Sequence, residues 1–360
     1  MKKPLLKTII LVFTLVGLPA LGIISFDRNL DYYLEFPPVT QFVPKAGFSA
    51  PAFIFILVLI AATVIPLGYQ CFKAYRGASG SLPKQGFPWW GFIGLFLLLF
   101  FWIVAWNRFT WAAFFQEHTF FPLWFSYIIV INALTQRKRG HCLITKDPKH
   151  FVLLFLASAC FWWFFEYLNR FVQNWNYSGT QYSSLKYFLL ASLAFSTVLP
   201  AVMGTMEYLL GFDWLGNKFR ITFPFTIKHP KRVAFLTLMF SMGSLFLIGI
   251  FPDYLFPFLW VSPLIVIVSL KTIFGESHVL YLNKVENQRR VLAAMLAALI
   301  CGFFWEMWNY WSLIQWHYEI PLVDRYHLFE MPILGYGGYL PFGIECLAIR
   351  DALRSLPTRK

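Results

Sequence analysis

The feature that most constrains this chain is the recurrence of long apolar runs from one end to the other. A run of about 18 apolar residues is long enough to cross a bilayer as a helix, and such runs recur between residues 8 and 349. Only 13% of the residues are charged and 58% are apolar, whereas soluble domains carry about 25% charged residues. We therefore predict a polytopic integral membrane protein rather than a soluble one.

Each membrane span must be helical, because only a helix satisfies its own backbone hydrogen bonds in lipid. The sequence therefore predicts an all-α bundle of about ten transmembrane helices. No linker or low-complexity tract divides the chain, so residues 1–360 are expected to form a single integral membrane domain. The predicted spans cover residues 8–26, 51–72, 90–106, 119–135, 151–172, 187–211, 233–251, 254–271, 291–312 and 331–349.

The basic residues predict how the bundle is oriented. If the N-terminus lies in the cytoplasm, most of the 30 Lys and Arg residues fall in the alternate loops on that side, as the orienting bias of membrane proteins requires. This pattern predicts a bacterial-type inner (cytoplasmic) membrane protein with both termini in the cytoplasm. The formal charge of +13 is spread over short loops, so we expect contacts with anionic membrane lipids and no nucleic-acid partner.

Two similar segments indicate an internal repeat. WFFEYLNRF ends at Phe171 and FFWEMWNYW ends at Trp311, which aligns Glu166 with Glu306 and Asn169 with Asn309. With one inserted residue, the later WNY and WHY triplets and two Leu-Pro pairs align as well. The sequence thus predicts two parallel helical hairpins.

The predicted hairpins cover about residues 151–211 and 291–349, and a weaker third copy covers about 90–135. The third copy keeps Asn107 but has Val104 where the other two have a glutamate.

The aligned glutamates mark the predicted working site. Each lies about 15 residues into its helix, so a rise of 1.5 Å per residue places both in the outer third of a hydrocarbon core about 30 Å thick. Charged groups in spans usually face a partner or a cavity. Glu166 has an alternative, a purely structural pair with Arg170 one turn away. Glu306 has no cation within a turn, so we expect it to find a partner on another helix, take up a proton or meet water.

The outer loops and two further carboxylates give additional expectations. His317, His327, Glu306 and Glu330 are a conceivable metal-ligand set, but no recognised ligand spacing is present, and we predict neither a metal nor another cofactor. We expect Glu207 to be solvated near the inner interface, and Glu345 to be satisfied by Arg350.

Three functions are consistent with these patterns. The first is an enzyme acting on a lipid, isoprenoid or lipid-linked substrate, and it is the one we favour. The second is a transporter or flippase, and the third is a non-catalytic assembly protein whose polar residues join helices. In the enzyme, Glu306 would be the acid or base and Glu166 its partner. The predicted substrate contacts are Asn169, Asn309, Asn107, Arg170, His317, Trp305, Trp316 and Glu330.

Overall fold

A computed structural model describes residues 2–78, 80, 83–179, 182–221 and 227–355, with side chains from residue 5 onward. The first residue and the last five, which bear on the predicted position of the termini, lie outside the described residues. The described chain is mostly α-helical. The helices are α1 Lys2–Val12, α2 Leu18–Ser25, α3 Asp31–Leu34, α4 Ala50–Arg76, α5 Trp89–Trp106, α6 Ala113–Gln116, α7 Phe120–Arg139, α8 Leu143–Lys146, α9 Pro148–Val172, α10 Ser184–Phe195, α11 Val198–Leu209, α12 Pro230–Leu247, α13 Pro252–Leu255, α14 Pro257–Ile273, α15 Val285–Tyr310 and α16 Tyr339–Arg354.

Six helical segments of the described chain are long and apolar enough to cross a membrane. A seventh is added if Thr110–Gln116 and Phe120–Arg139, which meet at 79°, count as one broken span. Helical residues occur in all ten predicted segments, so the helical, membrane-like character is confirmed, while the number of spans stays a prediction. The six segments are Leu5–Ser25, Ala50–Arg76, Trp89–Trp106, Pro148–Val172, Ser184–Leu209 and Val285–Tyr310.

The helices differ in how many of their residues are buried inside the protein, and this distinguishes central from peripheral helices. In α15, 67% of the most apolar window is buried inside the protein, against 0% in α4. Helix α15 packs against α16 and α11, and a Cβ on Gly343 would lie 2.2 Å from the Ala294 carbonyl oxygen. Only glycine permits that approach, so α15 and α16 are in close backbone contact at the centre of the bundle.

Local signals explain where helix α9 begins and ends. The Asp147 side chain accepts a hydrogen bond from the His150 N–H (3.2 Å), and Pro148 occupies the first turn, where its missing N–H costs nothing. The helix ends at Gln173, which adopts a left-handed conformation (φ 47°). The Gln173 side chain accepts hydrogen bonds from the backbone N–H groups of Phe42 and Val43, both 2.8 Å. These bonds fix the loop between α3 and α4 over the end of α9.

The all-α prediction missed two small antiparallel sheets. Strand β1 (Trp175–Ser178) follows α9 and pairs with β2 (Gln315–Tyr318), which follows α15. Strands β3 (His327–Leu328) and β4 (Met331–Pro332) form a second pair, where the tenth span was predicted to begin. We call the β1–β2 pair the ribbon. Its register places Trp175 opposite Tyr318 and Tyr177 opposite Trp316.

Candidate functional site beneath the ribbon

Glu306 lies directly beneath the ribbon and is fully buried (0% exposed). Its Oε1 accepts hydrogen bonds from the Tyr318 hydroxyl (2.9 Å) and the Tyr339 hydroxyl (2.8 Å). Among the described residues no side chain makes a hydrogen bond to its Oε2, although the Trp316 indole lies near enough to act on the carboxyl. Buried polar atoms are nearly always paired, and an exception calls for an explanation such as a bound water, an ion or a catalytic role.

Glycine makes room for this arrangement. Gly302 lies one turn before Glu306 on the same face of α15, and a Cβ there would lie 2.4 Å from the Tyr339 ring. The ring therefore rests against the bare backbone, and its hydroxyl reaches Glu306. Trp305 lies over Tyr339 (ring centroids 6.1 Å apart) and Trp124 (4.9 Å). The carboxyl is thus bound by a tyrosine that is itself packed among aromatic rings.

Glu166 is more fully satisfied than Glu306. Its Oε1 accepts hydrogen bonds from the Tyr177 hydroxyl (2.6 Å), the Trp175 indole (3.0 Å) and the Trp162 indole (3.1 Å). Two of these donors belong to β1, as Tyr318 belongs to β2. Both glutamates therefore anchor a strand of the ribbon to a helix.

The two aligned asparagines bind the ribbon backbone. Asn169 donates to the Trp175 carbonyl (2.8 Å) and accepts from the Trp175 N–H (3.4 Å). Asn309 donates to the Trp316 carbonyl (2.7 Å) and accepts from the Trp316 N–H (2.9 Å). Both carboxamides, which we expected to orient a substrate, are therefore bound to the ribbon backbone. Their role in substrate binding stays a prediction.

Arg170 does not form the predicted structural pair with Glu166. Its guanidinium pairs with Glu35 (3.2 Å), donates to the Tyr32 carbonyl (2.6 Å) and lies over the Phe42 ring (5.1 Å). Arg170 still acts electrostatically on Glu166, but its close ion pair is with Glu35 on another segment. The arginine holds the loop between α3 and α4 instead.

Of the remaining predicted site residues, His317, Glu330 and Trp316 lie at the ribbon, whereas Asn107 does not. His317 bridges Glu330 (Nδ1 to Oε2, 3.3 Å) and Ser178 (Nε2 to Oγ, 2.9 Å) across the ribbon. Trp316 packs edge-on against Phe120. Asn107 is exposed and donates to the Ile103 carbonyl of its own helix (2.7 Å), which leaves it without a contact to either glutamate among the described residues.

Other pairings bear on the metal prediction. His327 pairs with Asp324 (2.8 Å) rather than with His317 or Glu330. Within the described ranges, no group of three or more His, Cys, Asp or Glu side chains is arranged to hold a metal ion.

Glu207 and Glu345 differ from their expected environments. Arg350 pairs with Glu207 (2.5 Å), and Arg139 also binds Glu207. Glu207 is therefore held by two ion pairs rather than simply solvated. The expected pair between Arg350 and Glu345 is not formed. Pro263 interrupts the hydrogen-bond ladder of α14, and the neighbouring Leu264 N–H donates to Glu345 Oε1 (3.1 Å). Glu345 is fully buried, and its Oε2 has no partner in the described part of the chain.

A cavity of about 600 Å³ lies beside the ribbon and contains residues that sequence reasoning missed. Its lining includes Lys45 and Glu319, and Glu319 directly follows Tyr318, the donor to Glu306. Burial lowers the pKa of the Lys45 amine to about 8, although Glu319 and Asp253 raise it. Lys45 also donates to the Val172 carbonyl at the end of α9. A lone lysine in the loop between α3 and α4 gives no signal in the sequence, because its partners are distant along the chain.

A second cavity, of about 800 Å³, lies at the opposite end of the bundle and is lined mainly by charged side chains. Neither Glu166 nor Glu306 is among the described residues that line these two cavities.

Comparison of the chain with protein-family models, with curated proteins and with solved structures finds no significant match.

Proposed function

We propose that this chain is a membrane enzyme acting on a lipid, isoprenoid or lipid-linked substrate, with Glu306 as its acid or base. The observation that carries the proposal is the state of the Glu306 carboxyl. One oxygen is fixed by Tyr318 and Tyr339, and the other is buried without a partner among the described residues. Such a group is held in one orientation and keeps one oxygen free to exchange a proton, which suits general acid–base chemistry.

The aromatic rings packed around Tyr339 favour an apolar substrate. Trp305 packs against both Tyr339 and Trp124, and aromatic faces accommodate hydrocarbon chains and can stabilise a developing cation. Access would pass the ribbon, because Glu319, the residue after Tyr318, lines the cavity together with Lys45.

Glu166 has a supporting role in this proposal. Its three donors fix it to β1, which makes it an anchor for the ribbon rather than a second proton carrier. Substitution of each glutamate by glutamine therefore separates the roles, because glutamine keeps the shape and one acceptor oxygen but cannot exchange a proton.

The contacts of the ribbon also support descent of the two hairpins from one unit. Asn176 faces His317 at the centre, and a Trp–Tyr pair stands on each side, so the register is unchanged when the strands are exchanged. The matched glutamates each accept a tyrosine hydroxyl from the adjoining strand. We infer a duplication with one copy, around Glu306, specialised for chemistry.

The test uses the purified protein in nanodiscs that contain a total membrane lipid extract, with lipids followed by mass spectrometry. The wild type should convert at least one lipid species. Glu306→Gln should still bind that species but convert it about 10²- to 10⁴-fold more slowly, the usual contribution of a general acid or base.

Glu166→Gln is the matched control. It should keep most of the turnover and change mainly the melting temperature. Equal turnover in all three proteins, or a change in stability alone for Glu306→Gln, would rule the proposal out in favour of a structural role.

Glu345 favours a second candidate function, proton-linked transport. It lies six residues after Tyr339 on α16, about 9 Å deeper along the helix axis at 1.5 Å per residue, and its Oε2 is unpartnered within the described residues. Buried ionisable groups in spans often mark proton relays.

In proteoliposomes that contain a trapped pH dye, Glu345→Gln should abolish proton flux driven by a membrane potential. Glu117→Gln in an outer loop should leave that flux unchanged. If the wild type shows no proton flux, proton-linked transport is ruled out and the membrane enzyme remains as the candidate function.

A further inference from the structure

The cavity at the end of the bundle opposite the ribbon is strongly basic. Helices α7, α11 and α16 end there, α9 and α15 begin there, and the short helix α8 lies between α7 and α9. The lining holds seven Lys and Arg residues against four Asp and Glu residues, an excess that attracts a multiply charged anion. The basic residues of the lining are Arg139, Lys146, Arg220, Arg289, Arg290, Arg350 and Arg354.

Some of these basic side chains already form ion pairs or hydrogen bonds within the protein. Glu207 accepts from Arg139 and Arg350, and Asp351 pairs with Arg290. Arg289 donates to backbone carbonyls of the π-helical turn Trp214–Lys218, which lies between α11 and α12. These pairs fix the geometry of the cavity.

The other cations are available for a ligand. The side chains of Lys146, Arg220 and Arg354 make no ion pair or hydrogen bond among the described residues. Arg350 is 2% exposed, and its Nε has no partner in the described chain. A buried arginine donor without an acceptor is costly unless something supplies one.

We propose that this cavity binds a phosphate group, carried either by a lipid headgroup or by a small soluble phosphate. Arginine donors match phosphate oxygens in geometry and charge. The volume of about 800 Å³ lies within the usual range for ligand sites of about 300–1,000 Å³. The proposal does not depend on the chemistry of Glu306, which lies at the other end of the bundle.

The pKa of His141, which lines the cavity, is consistent with a positive electrostatic potential there. Burial, followed by Arg139 and Lys146, lowers the pKa of the His141 imidazole. A bound phosphate would reverse the electrostatic contribution, so it should raise the pKa of His141.

The test compares two variants of equal charge in the full-length protein, purified in a neutral detergent. Lys146→Ala/Arg220→Ala removes two unpaired cations of the cavity. The control, Lys231→Ala/Arg232→Ala, removes two cations of the same end of the bundle that do not line the cavity. The probes are pyrophosphate and dioctanoyl phosphatidic acid, measured by calorimetry.

The cavity variant should bind at least about tenfold more weakly than the wild type, because each charge-assisted bond contributes strongly, and the control should be unchanged. Binding of both probes supports the site and identifies the phosphate itself as the ligand. Binding of the lipid alone supports the site and identifies a headgroup. Equal weakening in both variants indicates general surface attraction and overturns the proposal, as does binding of neither probe by the wild type.

Two further measurements keep the test independent of folding. Arg354→Ala, in the last turn of α16, is a second cavity variant whose loss of binding should accompany an unchanged melting temperature. Histidine NMR should show the pKa of His141 rising when pyrophosphate is added to the wild type, and not rising in the double cavity variant. An unchanged His141 titration in a wild type saturated with probe would place the anion elsewhere and overturn the assignment.

Discussion

Glu166 and Glu306 have the same position in the sequence pattern but different surroundings. Three donors converge on one Glu166 oxygen, while Glu306 keeps an oxygen unpaired among the described residues. The sequence identified both residues because a carboxylate within an aromatic run is rare in a span. Their difference was not predictable, because it depends on how an indole approaches each carboxyl. The Trp162 and Trp175 indoles donate to Glu166, whereas the Trp316 indole nitrogen has no hydrogen-bond partner among the described residues.

At the residue scale, Lys45 gives a prediction about pH. Since burial lowers its pKa to about 8, about half of the Lys45 amine is neutral at pH 8, against under about 1% for an ordinary lysine. Lys45 should therefore react fastest among the accessible lysines with an amine-selective reagent. Its rate should rise with a midpoint near pH 8, measured by peptide mass spectrometry.

Substitution of the neighbouring acid checks the cause. Glu319→Gln removes a charge that raises the pKa of Lys45, so the midpoint should move to lower pH. A Lys45 midpoint above pH 10 in the wild type would contradict the burial that the structure shows.

At the scale of elements, the ribbon explains most of the predicted site residues. Asn169 and Asn309 hold its backbone, and Glu166 and Glu306 hold its tyrosines. Hydrophobic periodicity identifies helices well, but strands of four residues are too short to give a clear alternation. The matched WNY and WHY triplets were the signal of the strands, and they were interpreted only as evidence of a repeat.

The ribbon register can be tested with a disulfide. Asn176 and His317 are directly opposed, so their Cα atoms lie about 4.5–5.5 Å apart, within the range for a disulfide of about 4.4–6.8 Å. Asn176→Cys/His317→Cys should cross-link under mild oxidation, as seen by non-reducing peptide mapping.

Asn176→Cys/Gln315→Cys is the matched control. Its two positions are diagonal neighbours on the same face, about 7–8 Å apart, and should cross-link poorly. Preferential cross-linking of this control would show that the register differs from the one described.

At the scale of the whole molecule, the bundle has two chemically distinct ends. The ribbon and Glu330 lie at one end, and the arginine-rich cavity lies at the other. Apolar runs predicted the helical bundle itself, because membrane helices must be apolar whatever they pack against. The contacts between distant segments were not predictable, as Arg170 shows, since its partner Glu35 lies 135 positions away.

The predicted orientation can be tested with single cysteines. If the arginine-rich end faces the cytoplasm, Ser178→Cys at the exposed end of β1 should react with a membrane-impermeant thiol reagent in intact cells. Lys218→Cys, exposed near the cavity, should react only after permeabilisation. Reaction of both from the same side would contradict a bundle that crosses the membrane between them.

Main-chain hydrogen bonds join the end of α9 to the end of α15 through the ribbon. Helices α9 and α15 are therefore joined at this end. Any rocking of one of these helices against the other would move the ribbon little and would change their spacing most at their opposite ends, near the arginine-rich cavity.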